Sequence, residues 1–390
     1  MQRLIRFTLL GWLILLVVPV QAATVSGLVY VDANGNGACE AGEQPLAGVL
    51  VSDGGQVVST DARGRYVLPL SQTGTLVRLS IPSGYWPSGH RWFERVASAE
   101  AATCDFPLRA ETQASPWRMV QVTDIHHIVP ATDKISAFCE QINAAQPPVA
   151  LVVSTGDLVM DSNPVRDEII IRRLFTDYAL ALAPLQVPLF NVPGNHDHPQ
   201  VRTELSPEGP LYGQRGYEAL VGPPWYSFDY AGVHLLALNA SLVDSTARSV
   251  PSGFSAECLA WLRADLALTP PETPLLIFCH QPPRACRNSQ TLQAALAGRR
   301  VLGIFCGHTH AAREYDWAGY RVYESGALSG AWWTGPCPDG KPRGFRLLKV
   351  TPEEVETEYV SAAEPEPVAA TQGSPCGAIC GTMVLPRQPE

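Results

Sequence analysis

The chain has 390 residues, with 28 Lys and Arg against 37 Asp and Glu, a net charge of −9 and a pI near 5.5. That balance argues against a general nucleic-acid binder, which needs a basic surface. Only 17% of residues are charged while 32 are Gly and 34 are Pro, a composition of loop- and strand-rich globular proteins rather than helical bundles.

The chain starts with Arg3 and Arg6, an apolar run over 7–20, and small residues in Val20-Gln21-Ala22. This is the pattern of a signal peptide over 1–22, and it predicts an exported protein, periplasmic or extracellular. The apolar run is short for a membrane span, and no later stretch is long enough for one, so no transmembrane segment is expected after cleavage. All ten Cys lie beyond it, in a compartment that permits disulfides. Cys39 with Cys104, and Cys376 with Cys380, are candidate pairs. Cys279 and Cys306 sit in apolar runs and suit buried thiols or a bridge equally.

Residues 23–110 read as a small β-sandwich, with short β-rich runs at 25–31, 49–52, 56–60, 66–70 and 75–81 between Gly, Asp and Pro turns. Within it, Asp32, Asn34, Asn36 and Glu43, with Gly37 at the sixth position, fit a twelve-residue calcium loop. Strand-like runs flank it, not helices, and the same residues also suit an ion-free Asn-Gly turn. Residues 109–116 are polar and aperiodic, a linker.

From residue 117 strands alternate with helices. Strand-like runs at 119–122, 149–154 and 188–192 are separated by helical segments at 134–145 and 166–183. The runs 225–230 and 233–239 form a hairpin turning at Ala231-Gly232. Leu259, Leu262 and Leu266 give 254–268 a helical period. Apolar runs at 275–279, 292–297, 301–306 and 320–323 complete a main domain over 117–330. A C-terminal extension over 331–362 carries a last strand at 344–350, and 363–390 is a Pro/Glu-rich tail with a Cys pair.

Five apolar runs end in metal-ligating residues: Asp124 and His126, Gly156-Asp157, Gly194-Asn195-His196-Asp197, His280, and Gly307-His308-Thr309-His310. Ligands two apart share a face of an extended segment. Carboxylate, imidazole and amide oxygen together suit a first-row transition metal rather than a thiolate zinc site. Seven donors plus water overfill one cation and suit two.

The ordered blocks Asp-x-His, Gly-Asp, Gly-Asn-His-Asp, His and Gly-His-x-His resemble the calcineurin-like metallophosphoesterase superfamily over 119–326. The resemblance implies an α+β fold of layered αββα type, two facing mixed β-sheets flanked by helices, here preceded by the all-β sandwich. It implies that Asp124, His126, Asp157 and His310 hold one metal and that Asp157, Asn195, His280 and His308 hold the other, with Asp157 bridging. Mn, Fe or Zn would serve. The calcium-type loop, the run Thr60-Asp61-Ala62-Arg63-Gly64-Arg65-Tyr66 and the sequence over 330–345 make the whole chain resemble exported bacterial members with an N-terminal β domain and a C-terminal extension, here short.

Two cations would clamp a water and turn it into hydroxide at neutral pH for in-line attack on phosphorus. His196 is the expected general acid, and Asp197 the expected orienting partner. His127 and Arg284 are candidate substrate contacts. His90 and His234 read as structural, His198 is without a role, and Trp332-Trp333 suits a cleft wall or core packing. The expected activity is hydrolysis of a small-molecule or cell-envelope phosphodiester. The alternatives are a phosphomonoester, a pyrophosphate linkage, or a cell-surface binding protein carrying a degenerate phosphoesterase domain.

Overall fold

The computed structural model describes residues 23–71, 76–89, 92–96 and 102–365. The signal segment, His90 and the Cys376/Cys380 pair lie outside the described residues. The N-terminal part contains β1 (Thr24–Val31), β2 (Leu50–Ser52), β3 (Val57–Ser59), β4 (Arg65–Pro69), β5 (Leu76–Leu79), β6 (Tyr85–Pro87), β7 (Phe93–Arg95), β8 (Ala102–Thr103) and β9 (Phe106–Ala110). One sheet runs β4-β1-β9-β6 with β8 also on β1, and the other runs β3-β2-β5-β7. Alternation is clean in β4, where Tyr66 and Leu68 are buried between outward Arg65, Val67 and Pro69. Strands β6 to β9 were not legible in the sequence. They are short, and Pro87 and Pro107 break the β pattern.

The segment expected as a linker over 109–116 is irregular only from Glu111 on. Arg109 and Ala110 belong to β9. Beyond them, Gln113 Oε1 accepts from the backbone N–H of Gly84 at 2.9 Å and of Ala231 at 2.7 Å. The segment is thus fastened to both halves of the molecule. The halves also share apolar contacts. Trp92 meets Tyr226 with ring centroids 4.6 Å apart, and Trp86 meets Phe190 edge-on at 6.0 Å.

The main domain begins with β10 (Trp117–Val122), α1 (Thr132–Asn143), β11 (Leu151–Thr155), α2 (Glu168–Leu182), β12 (Leu189–Val192) and α3 (Gln214–Leu220). It continues with β13 (Tyr226–Tyr230), β14 (Val233–Leu238), α4 (Ala256–Leu268), β15 (Leu275–Cys279), α5 (Ser289–Ala295) and β16 (Val301–Cys306). It ends with β17 (Arg313–Trp317), β18 (Tyr320–Glu324), β19 (Gly344–Val350) and β20 (Val355–Ser361). The helices start at side-chain caps where the sequence supplies them. Asp167 accepts from Ile169 N at 2.7 Å before α2, and Ser255 from Cys258 N at 3.1 Å before α4.

Two mixed sheets result, β12-β11-β10-β19-β20 and β13-β14-β15-β16-β18-β17. Alternation along the strands sorts their residues into layers. Met119, Val153 and Phe190 of the first sheet pack with Leu235, Leu276 and Phe278 of the second. Val120, Val122 and Val152 face the other way, onto Ile135 and Phe138 of α1 and Phe175 of α2. Leu236, Ile277 and Ile304 face Leu259, Trp261 and Leu262 of α4. This is the expected αββα sandwich.

Residues 331–362, expected as an extension, are part of that architecture. Strand β19 pairs antiparallel with β10, Met119 opposite Leu348, and β20 pairs with β19. Sheet order depends on contacts far apart in the chain, so a late strand can lie beside the first one. The Cys39–Cys104 pairing is also not found. Both are free thiols, Cys39 exposed and Cys104 buried. Cys279 and Cys306 are free and buried as well. No helix among the described residues is long and apolar enough to cross a membrane.

Candidate metal centre

Strands β10, β11 and β12 run parallel, as do β14, β15, β16 and β18, so their C-terminal ends collect at one edge of the sandwich. All five ligand-bearing blocks lie just past those ends. The Asp-x-His and His-x-His pairs do not converge because they are extended, as the spacing suggested. Asp124, His126, Asp157, His308 and His310 adopt φ of 51°, 43°, 53°, 70° and 53°. Five non-glycine residues in the left-handed region represent strain of order 1–3 kcal/mol each, which persists only where the surroundings over-determine it. Gly194 and Gly307 let these turns touch. A Cβ on Gly194 would run into the backbone nitrogen and carboxylate of Asp157, and one on Gly307 into Thr123 and the Asp124 carboxylate.

The donors form two groups, Asp124 with His126 and His310, and Asp157 with His280 and His308. Both carboxylates are held by one oxygen and offer the other. Asp124 Oδ2 accepts from His308 N and the Thr123 hydroxyl, each at 2.9 Å, whereas Oδ1 has no hydrogen-bond donor and lies 3.2 Å from His310 Nε2. Asp157 Oδ1 accepts from His196 N at 3.0 Å. Its Oδ2 lies 3.5 Å from His126 Nε2 and 3.1 Å from His280 Nε2, between the two groups.

The imidazole tautomers are set from behind. His280 Nδ1 donates to Thr155 O at 2.8 Å and His310 Nδ1 to Gly330 O at 2.7 Å. In the neutral rings Nε2 is then a bare acceptor. His310 Nε2 faces His126 Nε2 at 3.1 Å. Imidazole nitrogens and free carboxylate oxygens thus converge in a buried pocket, and each donor group could hold a metal ion. Without a metal, protons take that place. Burial opposes charge on His280, but Asp157 outweighs it and lifts the pKa to about 9. Burial likewise opposes charge on Asp124, yet the His310 contact draws its pKa down to about 2.

Asn195 opens a short 3-10 turn, Asn195–Asp197, and its Oδ1 lies 3.4 Å from Gln281 Nε2. Gln281 is held in turn by the Ser241 hydroxyl at 2.8 Å. His196 sits at the rim with its side chain 15% exposed, Nε2 4.0 Å from Asp157 Oδ2 and Nδ1 3.4 Å from Asp161 Oδ1. Burial works against its charge, but Asp161 and then Asp157 hold its pKa above the ordinary histidine value.

Asp197 does not orient His196. It is fully buried, and its carboxylate accepts from the backbone N–H of Leu158 at 2.9 Å and Gly194 at 2.8 Å. The partner of His196 is Asp161, itself paired with Arg202 at 3.2 Å. An acidic residue four past Asp157, in the same strand-end loop, was the available signal.

The two expected substrate contacts are placed elsewhere. His127 is buried, and the carboxylate acting on it is Asp177 of α2, not one from the centre. Arg284 Nη2 lies 2.6 Å from the buried Glu324, whose other oxygen accepts from Thr309 at 2.8 Å. Arg284 therefore backs the His308–His310 turn instead of reaching into the cleft. His198 is fully buried with both ring nitrogens unpartnered. Trp332 lies over the centre, 4.0 Å from the His126 ring, while Trp333 turns inward and donates its indole N–H to His126 O at 2.9 Å.

The calcium-type loop closes on itself. Asp32 Oδ1 accepts from Gly35 N at 2.8 Å and Oδ2 from Ser88 at 2.8 Å. Asn34 and Asn36 donate to Glu40 at 3.0 and 3.1 Å, and Glu43 accepts from Ala33 N at 3.0 Å. Among the described residues, Asp32, Glu40 and Glu43 fall in no group of three His, Cys, Asp or Glu side chains that could hold a metal ion. Asp32 and Asn34 oxygens also accept from the backbone N–H of Asn36, at 3.1 and 3.0 Å, as Asp and Asn do in tight turns.

A family model described as calcineurin-like phosphoesterase matches residues 118–312, half of the chain. A second, described as the N terminal of calcineurin-like phosphoesterase, matches residues 33–111. The chain is 28% identical to 3',5'-cyclic adenosine monophosphate phosphodiesterase CpdA of Escherichia coli (strain K12) over 237 residues, 55% of this chain and 76% of that protein. It is 29% identical to glycerophosphodiester phosphodiesterase GpdQ of Enterobacter lignolyticus (strain SCF1) over 185 residues, 44% of this chain and 59% of that one. Among solved structures, purple acid phosphatase PPD1 from yellow lupin (Lupinus luteus) seeds aligns with a TM-score of 0.45 and 13% identity, over 82% of this chain and 67% of that one. With the fold and the donor clusters in place, the matches identify the chain as a hydrolase of the calcineurin-like phosphoesterase family.

Proposed function

We propose that this protein hydrolyses phosphodiesters at a dinuclear metal centre. The observation that carries the reading is Asp157 Oδ2, which lies within 3.5 Å of an imidazole nitrogen from each donor group. Asp124, His126 and His310 would hold one cation, His280, His308 and the amide oxygen of Asn195 the other, and Asp157 would bridge. Mn, Fe or Zn suits such a nitrogen and oxygen set. When bound, the pair supplies Lewis acidity toward phosphoryl oxygens and acidifies water.

The chain's own residues do the rest. His196 protonates the leaving alkoxide from Nε2, and Asp161 beyond Nδ1 holds the ring for that transfer. Gln281 positions the Asn195 amide. The names of the two relatives, one acting on a cyclic nucleotide and one on glycerophosphodiesters, support a diester substrate. Export before action remains part of the proposal, carried by the apolar run over 7–20.

The test is loading with Mn, Fe or Zn, counting metal per chain, and comparing a bis-ester with a mono-ester of the same chromogenic alcohol. Two metals per chain and faster turnover of the bis-ester are expected. Asp157→Ala should lose both metals and the activity. No turnover of either ester with any metal would refute the proposal, and faster mono-ester turnover would refute the diester preference.

A further inference from the structure

Trp332 and Trp333 follow Gly330 and Ala331 in a tight turn where Gly330, Trp332 and Trp333 have positive φ, +59°, +54° and +66°. Trp333 N donates to Ser329 O at 2.7 Å, and Ala331 N to Gly335 O at 3.1 Å. The turn sends the two indoles in opposite directions. Trp333 packs: its ring lies beside Arg343 and Lys134, against the apolar layer behind the first sheet. Trp332 remains 43% exposed over the donor cluster. Its ring centroid lies 4.0 Å from that of His126, 5.1 Å from His310 and 5.4 Å from His196.

Packing explains Trp333 and leaves Trp332 unexplained. Two bulky residues in the left-handed region cost free energy, and the fold spends it on keeping a large apolar ring half in water. The location is informative. Trp332 spans from the Asp124 cluster to His196, the group that protonates the leaving alkoxide. With His196 as the proton donor, an alcohol leaving toward it would lie beside this indole. An indole with an open face attracts planar rings by stacking and offers little to a small polyol.

We propose that Trp332 is a stacking platform for the alcohol portion of the substrate, and that it selects phosphoesters whose alcohol carries a planar ring, nucleobase or aryl, over ring-less glycerol-type esters. This rests on the phosphoesterase reading above. Trp332 is a specificity residue and takes no part in proton transfer or metal binding.

The experiment uses the full chain loaded with metal, as wild type, Trp332→Phe and Trp332→Leu. Substrates are a 3',5'-cyclic nucleotide, bis(p-nitrophenyl) phosphate and glycerophosphocholine. Trp332→Leu should lower kcat/KM about 10-fold or more on a ring-bearing ester, the scale of one lost stack, and less than about 2-fold on glycerophosphocholine. Trp332→Phe should keep most of the preference, and metal per chain should not change. A response confined to the cyclic nucleotide or to the aryl ester supports the proposal and names the ring. Equal losses on ringed and ring-less esters, or loss of metal in Trp332→Leu, would overturn it. Calorimetric binding of adenosine 5'-monophosphate against glycerol 3-phosphate tests the same preference without turnover. If wild type hydrolyses nothing, the phosphoesterase reading fails, and a preference for the nucleotide that Trp332→Leu abolishes would still uphold the platform.

Discussion

Raising the pH should unlock a buried charge cluster behind the second sheet. His234 of β14 has its side chain 1% exposed, with Nδ1 2.6 Å from Asp229 Oδ1 and Nε2 2.8 Å from Asp265 Oδ2 of α4. Asp265 also accepts from the Ser227 hydroxyl at 2.7 Å, and Ser227 lies 3.0 Å from Ser80 in the N-terminal sandwich. The cluster therefore ties a helix, a hairpin and the accessory sandwich together.

Burial opposes charge on this imidazole, but Asp265 and Asp229 outweigh it and lift its pKa to about 10. At an effective dielectric of about 20, each contact is worth about 6 kcal/mol. Removing the ions from water costs several kcal/mol each, leaving about 5. A rise from about 6.5 to about 10 corresponds to the same figure at ~1.4 kcal/mol per pH unit. Asp229 is 36% exposed, so solvent screening brings the expected contribution to about 3–5 kcal/mol.

The sign follows from linkage. The folded pKa lies above the unfolded one, so the contribution is complete below about pH 6.5 and is lost as pH rises toward about 10. Urea unfolding of wild type and His234→Gln should show a stability difference that shrinks by up to ~1.4 kcal/mol per pH unit across that window. If His234→Gln does not fold, NMR of wild-type His234 should find it protonated through pH 9. A stability difference flat with pH, or a ring titrating near 6.5, would refute the reasoning.

Two further substitutions probe the centre. Asp161→Asn should retain both metals and lower kcat about 10- to 100-fold on an ester with a poor leaving alcohol, with little effect on p-nitrophenolate release. Equal loss on both leaving groups would remove Asp161 from proton transfer. In Gly194→Ala, the new Cβ forces the turn away from Asp157. A shift of about 1 Å should cost about 100-fold in activity and weaken metal retention at unchanged circular dichroism, whereas wild-type metal affinity would show that the turn has room.

Much of this protein is legible along the chain because the relevant physics is local. The β-α rhythm and the Ala231-Gly232 hairpin follow from apolar periodicity and turn residues, and the αββα layering from the family resemblance. The donor residues announce themselves because each follows a hydrophobic run that must be a buried strand, and parallel strands bring their ends to one edge. What failed were inferences from adjacency. Asp197 is next to His196 in sequence, but a 3-10 turn points it at backbone N–H groups, and Asp161 takes its place. Arg284 follows His280 closely, yet its charge is drawn to Glu324, a residue brought near by the pairing of β16 with β18.

The sequence alone therefore determined the ligand types, their order and the strands that carry them. The tertiary structure decided which oxygen of each carboxylate is free, which acid serves His196, and that β19 lies beside β10. It also decided which of two consecutive tryptophans faces the site. Trp332 and Trp333 have the same chemistry, and only the turn they sit in, with positive φ at Gly330, Trp332 and Trp333, separates the one that packs from the one that waits over the centre. Side-chain direction in such turns, like sheet order, is set by contacts remote in sequence, and no local pattern encodes it.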